Sequence, residues 1–345
     1  MVERAREVLS GEEAWIVGGA VRDELLGRPV VDLDIACRDP EGAARRYARG
    51  SDGAPFPLSE RHGAWRVALP DERTVDFTPL PEGIQEDLAT RDFTINAIAR
   101  PLDGGELLDP FDGLGDLERR TLRAIGPAIF HDDPLRLLRA VRLEDELGLR
   151  LDAETERLVR AGGGLVTRPA GERILAELVR IGPRGFERLE DLGLLAPLGG
   201  SVDRLRELGE TSSDMRLVAV FGDRLGRLPV SNELRRYAGA LMRAELPPDR
   251  SAREVHRFRR ATEPWATDAA RFAGGDPDLE RAIESARAND PPAPLVRGDE
   301  LGLPPGPEIG EWLDRIAEER AAGTISTRDE ALELVRRGGR AGADS

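Results

Sequence analysis

Short apolar runs alternating with turn signals fill the first 125 residues and stop near Gly126. AWIV (14–17), VVDLDIA (30–36), WRVALP (65–70) and RTVDFTPL (73–80) repeat at period two and are rich in β-branched residues, which predicts strands. AVRDELLG, between the first two, reads as a short helix closed by Gly27. Beyond Gly126 the period changes. DDPLRLLRAVRLEDELG, LDAETERLVRAG, AGERILAELVRIG, ELRRYAGALMRAEL and PEIGEWLDRIAEERAAG carry helical spacing, most with a terminal glycine. The expected fold class is therefore α+β: a small sheet with helices, followed by an all-helical arm. Looser boundaries fall at LAPLGG (195–200) and in the proline-rich 290–307, and the tail RRGGRAGADS reads as disordered.

Charge narrows the partners. The chain of 345 residues has a net charge of −15, which argues against a body coated for non-specific nucleic-acid binding. An RNA partner needs a local basic track instead. All fifty basic residues are arginine, as a GC-rich genome would produce, and aromatics make up only 4%, so base stacking can rest on few rings. The single Cys37 can form no internal disulfide and follows an apolar strand, where a buried, inert thiol is expected. An acidic N-terminus without an apolar segment, and no run near the ~18 apolar residues of a membrane span, predict a soluble cytoplasmic protein.

The stretch WIVGGAVRDELLGRPVVDLDIA (15–36) concentrates the chemistry. Side chains alternate across a strand, so Asp32 and Asp34 share one face while Val31, Leu33 and Ile35 take the other. Two converging carboxylates suit a hard divalent cation that keeps room for substrate phosphates. Gly18 and Gly19 end a strand and open a helix, where free backbone N–H groups attract phosphate, and Arg22 on the first turn can add a guanidinium. A plain strand-to-helix turn would use the same glycines. Asp76, on another predicted strand, can complete the metal site, deprotonate an attacking hydroxyl, or simply be solvated.

Three segments occur in order: GGAVRDELLGRPVVDLDIA, DLATRDFTINAIA (87–99) and DDPLRLLRAVR (132–142). Together they resemble the successive motifs of the class II tRNA nucleotidyltransferase and bacterial poly(A) polymerase family, whose head is a polymerase-beta-like nucleotidyltransferase domain. The resemblance is strong over the first 185 or so residues and looser beyond. It implies a catalytic head over 1–125, a helical neck over 126–185, a body over 186–270 and an RNA-binding tail over 271–345. It also implies addition of CMP or AMP to a tRNA 3′ end from CTP or ATP, with Mg²⁺ held by Asp32 and Asp34. Gly18, Gly19, Arg22 and Arg91 would contact the nucleotide.

On the predicted helix from Asp132, Asp133 and Arg136 are three apart and so neighbours on one face. Cytosine and adenine both offer an amine donor beside a ring-nitrogen acceptor; uracil and guanine do not. A paired Asp acceptor and Arg donor can therefore read C and A and reject U and G. By resemblance Asp133 and Arg136 form this template, with Arg139 and Arg142 supporting base and triphosphate. Asn96 would brace the neck, and Glu172 and Arg173 would be structural.

Thr90 stands where many members of that family carry another arginine. Only the segment from Thr78 to Thr90 separates the third acid's strand from RDFTINA, a shortening associated in the family with CC-only addition. An A-adding enzyme, a poly(A) polymerase and a non-catalytic RNA-binding protein are the other readings; the tail lacks the strong basicity of the polymerases. An antibiotic-modifying nucleotidyltransferase would have no use for the Asp133–Arg136 pair. His62, His131 and His256 are too few and too scattered for an appended HD phosphohydrolase.

Overall fold

The computed structural model describes residues 1–59 and 63–341, so His62 and the last four residues of the chain lie outside the described residues. Helix α1 (Val2–Val8) leads into β1 (Ala14–Val17), α2 (Gly19–Leu25), β2 (Asp32–Cys37), α3 (Pro40–Ala48), β3 (Ala54–Ser59), β4 (Ala64–Ala68) and β5 (Thr74–Pro79). Then come α4 (Ile84–Ala89), β6 (Ala99–Pro101) and α5 (Gly113–Glu118). The strands form one mixed sheet in the order β3-β4-β5-β2-β1-β6. β2 and β5 run parallel, and the other neighbours are antiparallel.

The period-two reading of β2 holds from Asp32 onward, but Val31, expected on the buried face, precedes the strand and is exposed. Leu33 and Ile35 are buried, while Asp32 is exposed and Asp34 half-buried on the opposite face. Behind the sheet, Tyr47 of α3 packs on Phe77 of β5 with ring centroids 5.8 Å apart. Each buried Leu, Ile or Phe contributes about 1.5–3 kcal/mol. That is enough to hold a sheet whose other face gathers carboxylates.

Two strands of this sheet were not read in the sequence. β3 (APFPLS) carries Pro55 and Pro57 and lies at the sheet edge, where a missing N–H is tolerated. β6 has three residues and shows no period of its own. A short parallel ladder, β7 (Thr121–Leu122) with β8 (Arg150–Leu151), also places strand pairing after Gly126.

The predicted helix over 132–148 is broken. It divides into α6 (Ile129–Asp132) and α7 (Arg136–Leu147). Asp133 is extended, at φ −139° and ψ 98°, because the ring of Pro134 disfavours helical backbone at the preceding residue. The first unit continues with α8 (Ala153–Ala161), α9 (Gly171–Leu178), α10 (Pro183–Asp191) and α11 (Leu195–Leu198), and ends at Gly200.

A second compact unit starts at Ser201. It is built from α12 (Asp203–Glu207), α13 (Ser213–Phe221), α14 (Asn232–Met242), α15 (Ala252–Thr262), α16 (Ala266–Phe272), α17 (Pro277–Ala288), α18 (Pro307–Ala321) and α19 (Arg328–Ala341). Residues 336–341, expected to be disordered, extend α19. A Cβ at Gly338 would lie 2.0 Å from the Trp312 ring on α18, so the glycine allows the close approach. Among the described residues no helix is long and apolar enough to cross a membrane. Cys37 is buried, and desolvation pushes its thiol up to about 12, as an inert thiol requires.

Candidate active site

A cavity of about 660 Å³ in the first unit is lined by Asp32 and Asp34, by Gly18, Gly19, Arg22 and Arg91, and by Asp133, Arg136, Arg139 and Arg142. Asp76 does not line it.

At the β1–α2 turn Gly18 has φ 69°, and a Cβ there would sit 3.0 Å from Asp34 Oδ2 and 3.1 Å from Arg91 Nη1. The glycine thus answers both a backbone demand and a crowding of charged groups, which a plain turn would not need. Arg22 is buried. Its Nη1 donates to Asn96 Oδ1 at 2.7 Å and its Nε to Asp23 at 3.0 Å. Arg91 donates to Asp87 at 2.7 Å, leaving Nη1 turned toward Gly18.

The carboxylates differ sharply in their partners. Asp32 accepts from the Thr74 hydroxyl at 2.7 Å. Asp76, opposite Asp34 in the parallel ladder, is gripped by Arg66 through both oxygens, each at 2.7 Å. The Asp34 carboxylate accepts no hydrogen bond among the described residues. Burial pushes its carboxyl up to about 6, with Arg91 opposing and Asp76 and Asp32 reinforcing the shift. Such a crowded, half-buried oxygen pair is what a divalent cation would relieve, so the donors on β2 fit Mg²⁺. Among the described residues no group of three or more His, Cys, Asp or Glu is arranged to hold a metal. Phosphate and water oxygens would have to complete the shell.

Asp133 and Arg136 both enter the cavity but are not stacked on one helix. Asp133 precedes α7, where Oδ1 accepts from the Leu135 N–H at 3.1 Å and Oδ2 from Arg173 at 2.7 Å. Arg136 donates to the Thr90 carbonyl at 2.7 Å. Arg173, expected to be structural, thus touches a candidate base reader.

Sequence reasoning named Asn96 as a brace but missed the rest of the polar floor. Asn96 donates to Asp92 at 2.8 Å, and Asp92 receives Arg139 Nε at 2.8 Å. Burial opposes charge on Asp92, but Arg139 and these bonds hold its carboxyl below the usual range. Glu177 then receives Arg142 at 2.6 Å, and Arg142 also reaches Glu146 at 2.7 Å. A continuous line of polar and charged groups so joins Arg22 to α7. The available signal was Asp92 itself, adjacent to Arg91 in RDFTINA.

Comparison with known proteins decides the family. The family model for the Poly A polymerase head domain matches residues 14–81 and 66–123. Over 94% of this chain and 95% of the relative, the sequence is 33% identical to the A-adding tRNA nucleotidyltransferase of Deinococcus radiodurans. The chain belongs to the tRNA nucleotidyltransferase family. A second family member, the CC-adding tRNA nucleotidyltransferase of Thermus thermophilus, is 32% identical over 95% of both chains. The solved structure of the Thermotoga maritima CCA-adding enzyme complexed with tRNA shares the fold at a TM-score of 0.74 and 23% identity, covering 98% of this chain and 93% of that one.

For this tRNA nucleotidyltransferase, Gly18→Ala is expected to cost about 1–3 kcal/mol in strain. It should also lower nucleotide incorporation ten- to a hundredfold, roughly, by displacing Asp34 and Arg91. Thermal melts and single-turnover incorporation check this; an alanine variant equal to wild type in both would refute the crowding.

Proposed function

We propose that the protein extends the 3′ end of tRNA without a nucleic-acid template, adding CMP, AMP or both from CTP and ATP and releasing pyrophosphate. The observation that carries the reading is the shared cavity. Paired carboxylates, a glycine turn and a candidate base-reading Asp and Arg all line it.

In this reading the Gly18 and Gly19 backbone and the Arg22 guanidinium receive the triphosphate. Asn96 and Asp23 hold Arg22 in place, so its charge is aimed before substrate arrives. Mg²⁺ bound by Asp32 and Asp34 supplies charge stabilisation at the reacting phosphate. Asp133 offers a carboxylate to the amine of cytosine or adenine, and Arg136 offers N–H groups to the ring nitrogen. Arg139 and Arg142, tied down by Asp92, Glu177 and Glu146, set the position of α7 beneath the base. The RNA hydroxyl attacks the α-phosphate in line, so the work of the chain is orientation and charge placement rather than covalent chemistry.

The second unit is assigned to the body of the RNA. Arg236 on α14 and Arg243 at its C-cap are seven residues apart and form no ion pair among the described residues, although the protein as a whole is acidic. The proposed compartment is the cytoplasm.

A-adding and CC-adding relatives match equally well, so identity does not choose between products. The connection from β5 to Arg91 is short, filled by α4 alone, and favours CC addition. The test is sequencing of products made on tRNA ending before CC, after C and after CC. Extension by CTP that stops at CC is expected. AMP added to the CC-ended tRNA would reject the CC-only form, and no extension of any substrate would sink the whole reading.

A further inference from the structure

Arg66, Asp76 and Asp34 lie in one row across the sheet. Asp76 is the cross-strand partner of Arg66 in the antiparallel β4–β5 pair and of Asp34 in the parallel β2–β5 pair. The Arg66 fork meets Asp76 with Nε to Oδ1 and Nη2 to Oδ2, both at 2.7 Å. Paired geometry of this kind is among the strongest a carboxylate makes with a side chain, and it fixes the carboxylate's orientation and occupies a lone pair on each oxygen. Asp76 is buried and Arg66 is one-third exposed, so the pair is only partly screened by water.

The alternative arrangement is easy to state. A third carboxylate one strand over from Asp32 and Asp34 is well placed to join a divalent cation, since hard cations gain affinity with each added carboxylate. Asp76 has that position but not that freedom. No group of three or more acids among the described residues is disposed as a metal cage.

We propose that Arg66 is a positioning residue that withholds Asp76 from the cation, keeping this a two-carboxylate site. The site then binds free metal weakly and relies on the triphosphate oxygens to complete the coordination shell. The proposal rests on Asp32 and Asp34 being the metal ligands.

The test uses Mn²⁺ as probe on the full chain without nucleotide. Affinity is read by electron paramagnetic resonance of free Mn²⁺, and the number of bound waters by water-proton relaxation. Arg66→Met is expected to tighten binding by about tenfold and to remove one water from bound Mn²⁺ as Asp76 enters. Arg66→Lys keeps the charge but not the fork, and should fall between; it also serves if the methionine variant fails to fold. Adding Asp76→Asn to Arg66→Met should reverse both changes. Tightening with an unchanged water count assigns the gain to charge alone and overturns the proposal, as does no tightening in either variant. The doubly substituted Asp32→Asn, Asp34→Asn protein separates the two levels. If it binds Mn²⁺ like wild type, the metal-site reading fails and the proposal with it. If it loses binding while the Arg66 variants change nothing, only the proposal fails.

Discussion

Asp34→Asn is expected to lower nucleotide incorporation by roughly a thousandfold while making the metal-free protein more stable at neutral pH. The carboxyl is pushed up from 3.8 to about 6, chiefly by burial, with Asp76 and Asp32 adding repulsion and Arg91 and Arg66 opposing. A group that is a weaker acid when folded favours the native state below its unfolded value. That contribution is lost as pH rises through about 6. At pH 7 the ionised side chain therefore costs up to about 3 kcal/mol. Asparagine carries no charge and escapes that cost. Melts in chelator should show the variant a few degrees above wild type at pH 7, with the gap closing towards pH 4. A variant that still incorporates nucleotide, or a gap independent of pH, would defeat this account.

Asp133→Ala is expected to reduce discrimination of CTP against UTP by roughly 10²- to 10⁴-fold. The reason is that rejection of the wrong base depends on leaving a buried polar group unpaired. Two partners hold Asp133 before any base arrives, the Leu135 N–H and Arg173. A rival reading gives Asp133 only the task of bridging α7 to α9. Arg173→Gln separates them, because it breaks the bridge and spares the carboxylate. Under the base-reading account the kcat/KM ratio for CTP over UTP collapses in Asp133→Ala and largely survives in Arg173→Gln. Equal ratios in the two variants, or continued rejection of UTP by Asp133→Ala, would overturn it.

What could be read from the chain was local. Parity along VVDLDIA puts both acids of β2 on one face, because a strand admits no other alternation. Gly18 and Gly27, which bound α2, were visible for the same reason: each has positive φ, which side-chain-bearing residues avoid. Pro134 is equally visible, but a strong helical period runs through it, and the period alone does not part α6 from α7. Arg66 could not be found this way. Nothing in WRVALP sets its arginine apart, and its meaning comes from two strand registers that only the folded sheet fixes. The role of Asp92, though the residue stands beside Arg91, was likewise out of reach, since Arg139, its partner, lies 47 residues further along. Chemistry-bearing residues that act through a distant neighbour leave little trace in spacing.

The edge strand β3 has a bearing on how this protein behaves when crowded. An open sheet edge invites another chain to add a strand, and exposed apolar side chains such as Phe56 and Leu58 strengthen the invitation. Pro55 and Pro57 have the same parity, so Phe56 between them is left to donate towards β4. The outward side is then left without a donor at two successive positions. A would-be partner strand meets carbonyls it can donate to but finds no N–H in return, and its ladder fails at the second rung. A strand that its composition conceals is thereby the one that guards this edge of the sheet against intermolecular zippering. Replacing those prolines would leave the cavity untouched and threaten solubility instead.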